Sequence, residues 1–250
     1  MEPRILCSRL DEVLKVSDFA DSSLNGLQLD AGIDVTRVVC GVSVNAALID
    51  EAEARNAQLI VVHHGLLWGR CERFTGLFGA RVQRLYEAGI SLAGYHLPLD
   101  AHPSLGNNAG LVDCLGLNER VPFGDYKGTK IGWGGTFSEP KTLVDVCDVL
   151  RSSMGDLSHC FGLPERPVAR VALCSGAASD LIHEAAASGY DLFVTGEVEE
   201  WTQAQARELG IAVIAGGHHR TERFGPQRLA SHINDELGVA ATFVDVPNPV

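Results

Sequence analysis

The sequence predicts an α/β protein built as a duplicated two-lobe fold, with mixed sheets flanked by helices. Three observations carry that expectation. Short continuous apolar runs alternate with segments of helical periodicity. The pattern of the early part of the chain returns near its end. Histidines and carboxylates stand directly after the apolar runs, where open α/β sheets collect ligands.

The elements follow in order. Leu6, Leu10, Val13 and Leu14 at helical spacing predict a helix over 4–16. Strands are expected at 38–42 and 59–62, with a helix at 46–55 between them, then a helix near 78–88 and a strand at 90–94. The same grammar resumes with strand 170–174, helix 179–188, strand 191–195, helix 202–209, strand 211–215 and helix 226–237. Residues 121–167 are richer in glycine and polar side chains and read as strands plus one helix at 142–154. The expected organisation is a first lobe over 1–120, a connection over 121–167 and a second lobe over 168–250, the two being intertwined repeats.

The repeat is visible residue by residue. At an offset of 133, Arg37, Val38, Ile49, Glu51, Ala52, Ala54, Leu59, Val61 and Trp68 fall on Arg170, Val171, Ile182, Glu184, Ala185, Ala187, Leu192, Val194 and Trp201. At an offset of 122, His96 and Asp100 fall on His218 and Glu222, and Leu115-Gly116 on Leu237-Gly238.

Composition narrows the function classes. Over 250 residues, 46% are hydrophobic and 21% charged, as in an ordinary folded domain rather than a disordered chain. The net charge of −12 repels phosphate backbones and argues against general nucleic-acid or anionic-membrane binding. Lys127 and Lys130 are the only closely spaced lysines and read as solvated loop residues. The opening MEPRILCSRLDEVL is interrupted by acidic residues and does not read as a secretory leader. Seven scattered cysteines, Cys7, Cys40, Cys71, Cys114, Cys147, Cys160 and Cys174, form no CxxC pair. A disulfide scaffold or zinc ribbon is therefore not expected, and a cytoplasmic location is.

The chemistry concentrates at three strand ends. His63 and His64 follow the strand at 59–62, His96 and Asp100 follow that at 90–94, and His218, His219 and Glu222 follow that at 211–215. Adjacent His63 and His64 are expected to point apart on an extended strand and to serve one ion each. Glu222 is suited to bridge two cations, as in two-metal hydrolytic sites. The expected ligands are His63, His64, Asp100, His218 and Glu222, a nitrogen and oxygen set suited to two divalent transition-metal ions such as Zn, Fe or Mn. His96, matched to His218 in the repeat, is either a sixth ligand or a group oriented by the site. His96 and Glu197, the latter at the end of the strand at 191–195, are the candidates for moving protons. His219 stands between ligand and structural residue, while His102, His159, His183 and His232 read as structural, His102 also as a group behind the ligands. Gly132-Trp133-Gly134-Gly135 lacks the strand–turn–helix context of a dinucleotide site, and Gly216-Gly217 is expected to form a tight turn that aims His218. Cys174 has no basic partner near it in sequence and does not read as a nucleophile.

Six motifs together resemble a known family. Asn25-Gly26-Leu27-Gln28, Val62-His63-His64-Gly65, His96-Leu97-Pro98-Leu99-Asp100-Ala101-His102, Gly106-Asn107-Asn108-Ala109, Thr195-Gly196-Glu197-Val198 and Gly217-His218-His219-Arg220-Thr221-Glu222 are similar to those of the GTP cyclohydrolase 1 type 2 homologues, the family named for a yeast Ngg-interacting factor, the third so called. The resemblance implies two intertwined lobes, a dinuclear metal cleft between them and a homohexameric toroid. By motif match its metal ligands fall on the same five residues, with His96 close to the metals. Two departures stand out. Residues 121–167 are too few to hold the extra domain that many relatives insert there, and Ser43-Val44-Asn45 stands where some relatives carry an acidic residue.

The expected function is a dinuclear metal-dependent hydrolase acting through a metal-activated water, with purine-ring opening, phosphoester and peptide hydrolysis all compatible. The substrate is expected to be a small molecule, and no membrane partner is expected. The alternative is a metal-bearing ring, not an enzyme, that binds a protein partner or delivers metal. An exchangeable water on the ions would favour catalysis, whereas full coordination by protein would favour the ring.

Overall fold

A computed structural model describes residues 1–69 and 72–250; Cys71 lies outside the described residues. The elements in chain order are α1 (Pro3–Leu14), β1 (Gly26–Leu29), β2 (Arg37–Ser43), α2 (Ala46–Ala54), β3 (Leu59–His64), α3 (Gly76–Glu87), β4 (Ser91–Gly94), α4 (Leu97–Ala101), α5 (Asn107–Leu115), β5 (Asn118–Tyr126), β6 (Thr129–Thr142), α6 (Leu143–Met154), β7 (His159–Phe161), β8 (Pro167–Cys174), α7 (Ile182–Ala187), β9 (Leu192–Thr195), α8 (Thr202–Leu209), β10 (Ala212–Ala215), α9 (His218–Thr221), α10 (Phe224–Leu237) and β11 (Ala240–Phe243). The fold is mixed α/β, with two sheets flanked by helices. The chain forms two compact units, one from residues 1–99 and 225–246, the other from 100–224 and 247–250.

The first unit holds a five-stranded sheet in the order β1-β4-β3-β2-β11. β4, β3, β2 and β11 run parallel, and β1 is antiparallel at the edge. The near-continuous apolar runs of β2 and β3 are explained by burial of both faces. Val39, Ile60, Val62 and Leu92 join a core with Leu48, Ile49 and Leu85 from α2 and α3. Leu6, Leu10 and Leu14 on one stripe of α1 are buried too, as their spacing predicts.

The second unit holds six strands in the order β5-β6-β8-β9-β10-β7. β8, β9 and β10 are parallel, like β2, β3 and β4, and the strands beside them are antiparallel. Alternate residues serve two separate cores. Val171, Leu173, Leu192, Val194 and Ile214 pack with α5 and α6, while Ala172, Cys174, Phe193 and Val213 pack with α7 and α8. The glycine run 132–135 lies inside β6, and a Cβ at Gly134 would collide with the Tyr190 hydroxyl, so these glycines serve close packing and not a phosphate turn. α6 opens with a capping box in which Thr142 and Asp145 satisfy each other's backbone amides.

Among the described residues, no helix is long and apolar enough to cross a membrane.

Candidate metal centre

In the first unit the carboxyl ends of β3 and β4 bring three imidazoles together. His63, His64 and His96 each offer a ring nitrogen within 4.8 Å of the other two, a group able to hold a metal ion. The His63 and His64 ring centroids are 4.5 Å apart, and His96 lies 5.1 and 5.8 Å from them. This corrects the expectation that the two neighbours point apart. His64 is the last residue of β3, where the pleat that would hold successive side chains on opposite faces ends, and both rings lean towards His96.

Each ring is fixed by a different partner. Buried His63 donates from Nδ1 to the Tyr95 carbonyl at 2.8 Å; a carbonyl only accepts, so the neutral ring keeps its lone pair on Nε2. His64 Nδ1 meets the Ser43 hydroxyl at 2.9 Å. His96 donates from Nδ1 to Asp21 at 2.9 Å. Asp21 is itself tied down, accepting from the Ser23 and Leu97 amides and from Asn25 Nδ2, while Asn25 Oδ1 accepts from the His96 amide. Burial alone would raise the Asp21 carboxyl, but the bond and charge of His96, with Asn25 and the Ser23 amide, hold it well below the usual carboxylate range. Trp68 packs edge-on against His96, its centroid 5.0 Å away. Gln28 Oε1 accepts from the Leu66 and Leu67 amides and so fixes the chain just past His64.

In the second unit the ligand-type residues are mainly carboxylates. Asp100 is buried, and its Oδ1 accepts from Asn107 Nδ2 at 2.9 Å and Ser175 Oγ at 3.0 Å. An oxygen of Asp100 lies within 4.8 Å of one of buried Glu222. His218, the first residue of α9, stands between two acids, with Nδ1 2.5 Å from Glu197 Oε1 and Nε2 3.2 Å from Glu222 Oε2. Burial works to lower the His218 pKa, yet Glu222 first and Glu197 second outweigh it and raise it to about 9. The field that favours a proton on Nε2 favours any cation there.

Two glycines make room. Gly217 has φ +94°, so the turn before His218 is one an L side chain resists, as the Gly-Gly pair predicts. Gly176 has φ +65°, and a Cβ there would lie 2.4 Å from Glu222 Oε1.

Among the described residues, His102, His159, His183, His219 and His232 join no cluster of ligating side chains. His102 Nδ1 accepts from the Leu105 amide, His183 stacks on Trp201, and the His219 amide donates to the Val250 carbonyl. Cys174 is buried, and burial together with the Asp100 and Glu222 charges pushes its thiol far up, which leaves it no nucleophile. Sequence reasoning missed Asp21, Tyr95, Asn107 and Ser175 as orienting groups. The signal available was the polar run Asp21-Ser22-Ser23 and the pair Asn107-Asn108, polar residues flanking apolar elements.

The profile described as Duf34/NIF3 (NGG1p interacting factor 3) matches residues 1–249. The chain belongs to this family. Within the NIF3 family, it is 39% identical over 250 residues to the GTP cyclohydrolase 1 type 2 homolog of Pyrococcus abyssi, covering 99% of each. The protein of the same name from Allochromatium vinosum is 39% identical over 251 residues, covering 98% of this chain and 96% of that one. Among solved structures, the ybgI protein, described as of unknown function, aligns over 100% of both chains with a TM-score of 0.93 and 36% identity. The Thermus thermophilus protein TTHA1606 does so over 100% of both with 0.89 and 35%.

Proposed function

We propose that this NIF3-family protein is a dinuclear metal-dependent hydrolase whose ions are held by His63, His64, Asp100, His218 and Glu222. The observation that carries the reading is how the donors are prepared. His63 presents Nε2 because its Nδ1 is committed to a carbonyl, and Glu222 and Glu197 create a cation-favouring spot at His218. Imidazole and carboxylate without thiolate suit Zn, Fe or Mn. When bound, two such ions lower the pKa of a water and polarise the substrate's electrophilic centre.

The chain's own residues supply the rest. His96, its Nδ1–H committed to Asp21, offers Nε2 as a proton acceptor. Glu197, with its side chain 41% exposed, accepts from His218 and is placed to pass a proton towards solvent. Asn107 and Ser175 hold Asp100 in one orientation. The name carried by the relatives supports a nucleotide or purine ring as the substrate class. The reading also includes two intertwined lobes over 1–120 and 168–250 that arose by internal duplication, with the metal cleft between those lobes, a cytoplasmic location and a homohexameric toroid.

Elemental analysis after gentle purification is expected to find about two transition-metal ions per chain, the number that a two-ion hydrolytic site requires. Protein that is metal-free and refuses added Zn and Mn overturns the proposal. The metal-loaded protein is expected to turn over at least one of a panel of nucleotides, phosphoesters and peptides. Metal bound with no turnover of any favours the partner-binding or metal-delivering ring instead. Light scattering that reads a mass near 26.7 kDa rejects the hexamer.

A further inference from the structure

Within the second unit, two cysteines that belong to none of the clusters of ligating side chains face each other. Cys147 on α6 and Cys160 on β7 place their Sγ atoms 3.2 Å apart. They are not equivalent. Cys147 is buried in the core with Leu143 and Leu150, whereas Cys160 is exposed on a three-residue strand at the edge of the sheet. Cys160 also lines a cavity of ≈ 410 Å³ with Phe161, Leu163, Arg166, Gln203 and Arg207. Arg166 is anchored on that wall by donating to the Gly210 carbonyl at 2.5 Å. In a chain of net charge −12, a thiol on a wall with two guanidiniums is a local exception.

We propose that Cys160 and Cys147 form a thiol–disulfide exchange site whose substrate is a small disulfide bearing carboxylates, with Cys160 attacking and Cys147 resolving. The Cys160 thiolate attacks one sulfur of R–S–S–R, forming the Cys160–SR bond and breaking the substrate S–S bond, and RS⁻ leaves with the electron pair. Cys147 then attacks Sγ of Cys160, the Cys147–Cys160 bond forms, the Cys160–SR bond breaks and the second RS⁻ leaves. The two thiol protons end on the two leaving thiols. Two protein thiols are oxidised and one disulfide is reduced to two thiols, so no further reactant is needed.

The geometry suits both steps. Closing the pair means bringing the sulfurs from 3.2 Å to the ~2.05 Å of a bond, a movement that an edge strand paired, among the described residues, with β10 alone accommodates. The Cys147 hydrogen bond first, and Arg151 second, outweigh burial and lower the Cys160 thiol to about 7, while Cys147 is held high as the donor. An attacking thiol near ambient pH is the most effective kind. The two arginines supply the complement to a carboxylate-bearing partner.

The test uses the reduced full-length protein, freed of reductant and incubated with oxidised glutathione, followed by intact-mass measurement and peptide mapping. Wild type is expected to form the Cys147–Cys160 disulfide and to retain no glutathione. Cys147→Ser is expected to accumulate glutathione on Cys160, and Cys160→Ser to leave Cys147 unmodified. Arg207→Gln is expected to slow reaction with oxidised glutathione by about threefold to tenfold but not with cystamine, a cationic disulfide. A wild-type map that joins Cys160 to any other cysteine, or none, overturns the proposal without recourse to variants. An adduct on Cys147 in Cys160→Ser reverses the assigned roles. Equal slowing with both disulfides, or faster closure with hydrogen peroxide at equal concentration, removes the anionic disulfide as substrate.

Discussion

His96 just after β4 and His218 at the start of α9 align at an offset of 122 residues in the sequence, and each donates from Nδ1 to a carboxylate. The two carboxylates differ in kind. Asp21 has a side chain 2% exposed and comes from the irregular segment before β1, where four further donors and acceptors pin it and its neighbour Asn25. Glu197 is 41% exposed and comes from the end of the adjacent strand β9. One imidazole is thus oriented through a built network and the other through a solvent-facing side chain. The second imidazole alone has another acid, Glu222, on its far nitrogen. The difference teaches that two histidines of similar sequence context take their electrostatic character from the carboxylates around them, one beside buried Asp21 and one between Glu197 and Glu222.

The largest expected effect separates those roles. His218→Ala is expected to lower metal affinity by about 100-fold or more, whereas His96→Ala keeps the metal and loses turnover. Equal metal loss in the two variants would make His96 a ligand and erase the distinction. A smaller effect compares the carboxylates by denaturant unfolding. Asp21→Asn is expected to cost about 2 kcal/mol, since it turns an amide towards donors that an oxygen now satisfies. Glu197→Gln is expected to stay within about 0.5 kcal/mol. The Asp21 effect has a sign in pH. Its folded pKa lies below the ordinary carboxylate value, so the stability it contributes is present above that ordinary value and declines as pH falls towards the folded one. A gap between wild type and Asp21→Asn that widens in acid contradicts the network. The smallest effect probes the third kind of orienting group: Ser43→Ala is expected to weaken metal binding by about tenfold, read by competition with a chelator.

Much of this was legible in the sequence. β2, β3, β8, β9 and β10 are continuous apolar runs because both faces of each sheet are covered, and such runs leave a plain signal. His63, His64, His96, Asp100, His218 and Glu222 stood out because each follows a strand end, and the structure gathers the first three into one group and sets Asp100 and His218 each beside Glu222. Asp21 was not, since an aspartate in an irregular segment looks like any solvated turn residue until the fold brings His96 to it. The lean of His63 and His64 towards one point was missed because two-residue alternation describes the middle of a strand and fails at its last residue. The four residues of β11, Ala240-Ala241-Thr242-Phe243, show no polar–apolar alternation in the sequence, although exposed and half-exposed positions alternate along this edge strand.

The return of residues 225–246 to the first unit sets an order of events during synthesis. Arg37 of β2 pairs with Ala240 of β11, about 200 positions later, so the first sheet waits for nearly the whole chain before its edge is closed. Until then β2 presents an open parallel edge to the cell. The second unit, drawn almost entirely from one uninterrupted stretch, faces no such wait. A nascent chain stalled before residue 225 therefore carries an unfinished first unit beside a second one that has all but its last four residues, which makes the earliest-made half the last to be protected from chaperones and proteases.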